Sequence, residues 1–235
     1  MKVYIRSIIN HLIPIPCLLC GVTTSFECRI CSPCQKNLPS FKVACQTCGL
    51  PVYSANTYRC GHCIAKPTTI NRTVCGFSYQ FPVDKLILQF KYHQQLGIGE
   101  TLSQLLAEKI QQQYLDDALP EQIIPVPMHP KRLASRGFNQ AALISKQLSK
   151  QLSIPINTQS CQRVVETKPQ EGLNANQRCK NLQHAFTRTN TVSPHIAIVD
   201  DVITTGATIN ALVETLSSAD VTRIDVWSLA RTPAN

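Results

Sequence analysis

The sequence predicts an α/β fold: a largely parallel sheet covered by helices, set behind a separate cysteine-rich segment. Three observations predict it. From residue 76 onward, apolar runs of strand length alternate with stretches of helical spacing. Four CxxC pairs fall between Cys17 and Cys63. One compact apolar run, inside His195–Ile209 (HIAIVDDVITTGATI), ends in two acids and then turns through Thr-Thr-Gly into a helical pattern.

In chain order, Gly76–Phe81 reads as a strand, and Val83–Tyr92 and Gly99–Leu115 as helices. Gln122–Val126 is a short strand closed by prolines, and Asn139–Leu152 a helix with Ala142, Leu143, Leu148 and Leu152 as its apolar positions. Cys161–Val165 has strand character and Asn174–Leu182 the pattern of a short helix. His195–Val199 is a strand, Ala207–Ser217 a helix and Arg223–Leu229 a strand. Strand, helix, strand in alternation is the signature of a parallel α/β sheet. The division from the cysteine-rich head falls where cysteine density collapses, near Thr69–Cys75, giving a head over 1–75 and an α/β part over 76–235.

A hydrophobic content of 43% with 16% charged residues argues for a packed chain and against disorder. The net charge of +9 is uneven: residues 1–75 hold eight Lys/Arg against one acid, Glu27, and residues 131–188 hold ten against two, Glu166 and Glu171. Two basic zones suit polyanionic partners, whether phosphate, pyrophosphate or nucleic acid. Met1–Pro16 is the one candidate for a secretory signal, but Arg6 and Asn10–His11 interrupt its apolar run, prolines break it and no small-residue cleavage site follows. It reads instead as a short amphipathic helix. With no run of about 18 apolar residues for a membrane span, the cytoplasm is the expected compartment, with any membrane association made through partners.

In that compartment paired cysteines hold metal more often than they form disulfides. The spacing is Cys17-x2-Cys20-x10-Cys31-x2-Cys34, then Cys45-x2-Cys48-x11-Cys60-x2-Cys63. Each CxxC turn aims two thiolates at one point, and two turns complete a tetrahedral all-sulfur site that suits Zn2+. Sequential pairing needs the shortest loops, so two structural zincs are expected, one per half. Cys28 and His62 are alternative ligands. The surface of such a head can grip nucleic acid: Arg29, Lys36, Lys42, Arg59, Lys66 and Arg72 supply charge, and Phe26, Phe41, Tyr53 and Tyr58 could stack on bases or fill the small core.

The turn at 204–208 has its own logic. The backbone N–H groups of Thr204-Thr205-Gly206-Ala207-Thr208 and the helix start form an anion cradle, glycine permits close approach, and the hydroxyls add donors. Asp200 and Asp201 lie where the hydroxyls of a sugar would fall once its 5′-phosphate is anchored. Thr205 or Thr208 as an ordinary N-cap is the structural alternative.

This segment resembles the phosphoribosyl-pyrophosphate (PRPP) motif of type I phosphoribosyltransferases. The resemblance assigns Asp200 and Asp201 to the ribose hydroxyls as the catalytic pair, and the 204–208 loop to the 5′-phosphate, with Mg2+ bridging pyrophosphate and ribose. Two further segments, Ile124–Gln140 (IPVPMHPKRLASRGFNQ) and Thr167–Phe186 (TKPQEGLNANQRCKNLQHAF), lie between the cysteine head and this motif. With all four in order, the chain is similar to the ComF/GntX family over nearly its full length. That resemblance implies a phosphoribosyltransferase-like domain behind a double zinc ribbon, and a part in natural transformation, with single-stranded DNA and DNA-uptake or recombination proteins as partners. It places Lys131, Arg132 and Arg136, in a loop at Pro127–Arg136, near the pyrophosphate. It also makes Lys168, Gln170, Arg178 and Asn181 polar contacts on an active-site loop. Classical phosphoribosyltransferases carry a hood for a nitrogenous base; here the head and residues 76–120 stand in its place, and no acceptor pocket is legible in them.

Overall fold

The computed structural model describes residues 15–24, 28–52, 58–93, 95–165 and 185–233. The amphipathic stretch at the start of the chain, the Asn174–Leu182 helix, Phe26, Tyr53 and the polar contacts at 168, 170, 178 and 181 lie outside them.

Four parallel strands form the central sheet: β3 (Ile70–Ser78), β4 (Gln122–Pro125), β7 (His195–Ile203) and β8 (Arg223–Arg231), in the order β3-β8-β7-β4. Buried on both faces, β7 and β8 read as near-continuous apolar runs. Helices α3 (Val83–Tyr92), α4 (Leu96–Gln113) and α6 (Gln140–Leu152) pack on one face with Ala197, Val199, Trp227 and Leu229. The other face, with Ile196, Ile198, Ile224 and Val226, is covered by α7 (Ala207–Leu216) and the small hairpin of β5 (Cys161–Arg163) and β6 (Phe186–Arg188). The strict alternation of these residues between two cores is the two-residue period of a strand.

The strand read at Gly76–Phe81 is longer and starts earlier, at Ile70. The stretch read as a loop at Pro127–Arg136 contains a helix, α5 (Pro130–Arg136), with Pro130 at its first position and Gly137 closing it at φ 86°. Both residues are helix punctuation: proline is preorganised for the first turn, and glycine accepts the left-handed exit.

The head is one design used twice. In the first knuckle, β1 (Ile15–Pro16) and β2 (Thr23–Thr24) flank the turn Cys17–Gly21, and Cys31 caps α1 (Ser32–Lys36). In the second, a turn at Cys45–Gly49 is followed by Cys60, which caps α2 (Gly61–Ala65). Gly21 and Gly49 both take positive φ, 76° and 70°, and both donate N–H to the carbonyl of the first cysteine, Cys17 at 3.0 Å and Cys45 at 2.9 Å. At Gly49 a side chain would also strike Cys75 Sγ at 2.9 Å.

At the amino-terminal end of the sheet, away from the cavities, buried Asp225 accepts from Tyr114 at 2.7 Å and pairs with His195 at 2.8 Å and Arg223. This network locks β7, β8 and α4 together. Arg72 belongs here too, paired to Asp117 at 2.9 Å and lying over the Tyr114 ring, so it is committed to the fold and not to a nucleic-acid surface.

Candidate functional site

Two candidate metal centres come first in the chain. The sulfurs of Cys17, Cys20, Cys31 and Cys34 form one group and those of Cys45, Cys48, Cys60 and Cys63 a second, all within 4.8 Å of one another in each group. The sequential pairing is therefore the one the fold adopts. Four thiolates converging on one point could hold a metal ion at each group, and an all-sulfur tetrad suits zinc. In both, burial pushes the first thiol up in pKa, but turn amides aimed at the sulfur outweigh it, bringing Cys17 to about 6 and Cys45 to about 7. The N–H of Cys31 reaches Cys17 Sγ at 3.4 Å, and that of Cys60 reaches Cys45 Sγ at 3.3 Å. Cys28 stands apart from the tetrads, accepting from Gln35 at 3.2 Å, and His62 turns to a cavity instead.

The second centre is a cavity of about 350 Å3 at the carboxyl ends of the strands, the position where open α/β sheets bind ligands. Asp200, Asp201, Thr204, Gly206, Ala207 and Thr208 line it from β7 and α7, and Arg132 and Arg136 from α5. Lys131 and Thr205 do not line it: Lys131 is exposed on α5, and Thr205 faces a neighbouring cavity. Strand β7 runs on through the acids to Ile203, so the two carboxylates alternate in direction like any strand pair. Asp201 turns toward α3, where Lys91 Nζ meets it at 3.0 Å. Asp200 turns toward the other face, within electrostatic reach of Arg163 on β5. Burial pushes the Asp200 carboxyl up to about 7, and the charge of Asp201 adds to the rise. Burial works against charge on Lys91, but Asp201 outweighs it and holds the ammonium above its ordinary value.

The cradle itself begins at Gly206, which is the N-cap of α7 at φ 82°; Thr205 Oγ1 accepts from the N–H of Ala207 at 3.3 Å. Neither Thr205 nor Thr208 is the cap. The approach from β4 is fixed by Asn139, whose amide donates to Val126 O at 3.0 Å while its oxygen caps α6. Arg136 is steadied by Gln140 at 3.0 Å and lies over the Tyr92 ring.

Lys91, Tyr79 and Arg163 also line the cavity, and the sequence singled out none of them. No local spacing marks them, because they reach the site only through the order of the strands. A lysine in the otherwise amphipathic helix VDKLILQFKY, on the side that turns inward, was the one available signal.

Arg231, buried at the end of β8, ties the two centres together. Its Nε donates to Cys48 O at 2.9 Å in the second knuckle, and its Nη1 to Ile203 O at 3.1 Å and to Thr204 O at the start of the cradle.

Fold and site together define an α/β protein with a four-stranded parallel sheet, headed by two four-cysteine groups consistent with zinc-ribbon modules. No family model matches the chain. Among curated proteins it is 39% identical over 210 residues to Competence protein F of Haemophilus influenzae, covering 86% of this chain and 90% of that protein. It is 33% identical over 224 residues to DNA utilization protein YhgH of Escherichia coli, covering 94% and 98%, and 32% identical over the same length to the protein of that name from Salmonella typhimurium. The chain belongs to the ComF family. Among the described residues, no helix is long and apolar enough to cross a membrane.

Proposed function

We propose that this protein acts in DNA uptake, handling incoming single-stranded DNA in the cytoplasm during natural transformation, and that its first cavity takes PRPP with Mg2+. The observation that carries the PRPP reading is the composition of that cavity. An acid pair able to read vicinal hydroxyls stands beside an N–H cradle for a phosphate, with Arg132, Arg136 and Arg163 as cations for a pyrophosphate. The DNA reading rests on the names of the relatives, competence and DNA utilization, and on a head in which residues 28–71 hold five Lys/Arg and no acid. In this reading the chain divides into a zinc-ribbon head, 1–75, and a phosphoribosyltransferase-like part, 76–235, with DNA-uptake or recombination proteins as further partners.

Two measurements test it. Calorimetry should show PRPP binding that needs Mg2+ and is lost in Asp200→Asn with Asp201→Asn. A fluorescent single strand should bind with affinity that falls steeply with salt. A deletion in a transformable host that transforms normally would remove the uptake role.

The three guanidiniums favour a second reading, catalytic transfer. The bond from ribose C1 to pyrophosphate would break, its electron pair leaving on a pyrophosphate oxygen that the arginines stabilise, while an acceptor forms the new bond at C1. Pyrophosphate release in a screen of bases and amines would support it. Binding without release would make the cavity a PRPP-responsive sensor.

A further inference from the structure

A second cavity, of about 450 Å3, lies on the far side of the phosphate cradle, between the second zinc knuckle and the start of α7. None of the chemistry proposed above uses it. Its apolar walls are Leu50, Ile70 and Val226, and its open rim carries His62 from α2 and Lys66, the residue that follows that helix. Thr204, Thr205 and Gly206 form the ridge that separates it from the first cavity.

From these features we infer that this cavity receives one nucleotide of a single DNA strand, the base against the apolar walls and the adjoining phosphodiester at the Lys66 rim. The inference rests on the single-strand reading above and gives that strand a seat. Charge selects the occupant. Among the described residues no Asp or Glu lines the cavity, while Lys66 and Arg231 do. Arg231 gives its Nε and Nη1 donors to backbone carbonyls, so its main contribution is field. The size suits a flat ring with its sugar, within the range of about 300–1,000 Å3 usual for small-ligand sites. Thr47, 3% exposed, lines the cavity too, and its hydroxyl has no hydrogen-bond partner among the described residues. The same knuckle presents Arg59 and Tyr58, the latter 69% exposed. An exposed ring beside cations is what a strand needs to continue over the surface by stacking.

The experiment measures anisotropy of a labelled oligothymidylate of about 16 nucleotides on the zinc-loaded protein. Lys66→Glu reverses charge at the rim, and Asn210→Trp, at an exposed position, plugs the cavity; circular dichroism and zinc content establish that both fold. Each should weaken the strand by about tenfold or more, while Lys85→Glu, exposed on α3, should change it less than about twofold. If the wild type binds and both variants bind equally well, the inference is overturned and the single-strand reading survives. Loss of binding in Asp200→Asn with Asp201→Asn, but not in Lys66→Glu, would overturn it in favour of the first cavity. Displacement of the strand by thymidine monophosphate at equal molar concentration would overturn it in favour of a free nucleotide. No binding by the wild type would overturn the single-strand reading and this inference with it.

Discussion

The two cysteine knuckles share a turn, a positive-φ glycine and a cysteine-capped helix, yet they lean on different neighbours. The first is built into the hydrophobic core: Cys17, Ile30 and Leu38 are buried with the residues of α3, α4 and α6, and the N–H of Arg29 reaches Thr101 on α4 at 3.3 Å. The second has polar neighbours at the site. Thr73 on β3 bonds back to Gln46 and Thr47 at 2.6 and 2.7 Å, and Arg231 joins Cys48 to the cradle. One motif therefore does two jobs. The first knuckle covers a face of the sheet; the second positions the loop that would hold a phosphate.

Removing each metal in turn gives the largest effect. Cys34→Ser should abolish one zinc and lower Tm sharply, since structural zinc is worth on the order of 10 kcal/mol, while PRPP affinity in the remaining folded protein stays within about threefold. Cys63→Ser should lower both, with PRPP affinity falling by about tenfold to a hundredfold. Metal content by mass spectrometry, Tm and calorimetry check this; equal losses of affinity would break the comparison.

pH separates the clusters from the acid pair. The folded-state pKa of Asp200 lies above its unfolded value, at about 7, so folding takes up a proton. Its contribution to stability is greatest below the unfolded carboxyl range and is lost as pH rises through about 7, by at most about 4 kcal/mol and less where the cavity admits water. Protons compete with metal at the cysteines, so the clusters respond in the opposite direction. Asp200→Asn should remove the downward slope of Tm between about pH 4 and 7.

The Arg231 link can be cut without touching a sulfur. Arg231→Met leaves carbonyls of Cys48 and Ile203 without their donor and should cost about 3 kcal/mol in denaturant unfolding, with both zincs retained. PRPP affinity should fall with it, which distinguishes coupling from simple destabilisation. On the opposite face, Lys91→Met leaves Asp201 without its cation and should cost about 2 kcal/mol. The smallest expected effect is mutual. Saturating PRPP should change strand affinity by a few-fold, and the strand should change PRPP affinity by the same factor, because Thr204 and Gly206 wall both cavities.

What could be read from the sequence was what chelation and turn chemistry write locally. The four CxxC pairs declare their tetrads because a ligand set two residues apart has almost no freedom. The run from His195 to Thr208 declares a strand turning into a helix, although the strand continues through both acids to Ile203 instead of ending at Val199. Helices α3 and α6 followed from apolar spacing, within a residue of their observed bounds, but α6 buries Ala141 and Ile144 in place of the expected Ala142 and Leu143. Pro130 and Gly137 did carry the signal for α5, but the cations between them drew attention to charge instead of punctuation. Lys91, Tyr79, Arg163 and Arg231 were illegible for a different reason. They lie far apart in sequence, and only the strand order β3-β8-β7-β4 brings them together.

That order sets a timetable for synthesis. Strand β8 is inner in the sheet but last of the described strands, and among these β3 pairs with no other. The cysteine turns, closed by contacts a few residues apart, can capture metal while the ribosome is still working. Strand β3 must then wait about 150 residues for the strand it pairs with, and long-range parallel pairing is slow. Until β8 inserts, the edges of β3 and β7 stand open, so a nascent chain is most exposed to aggregation or proteolysis in the interval before its final strand emerges.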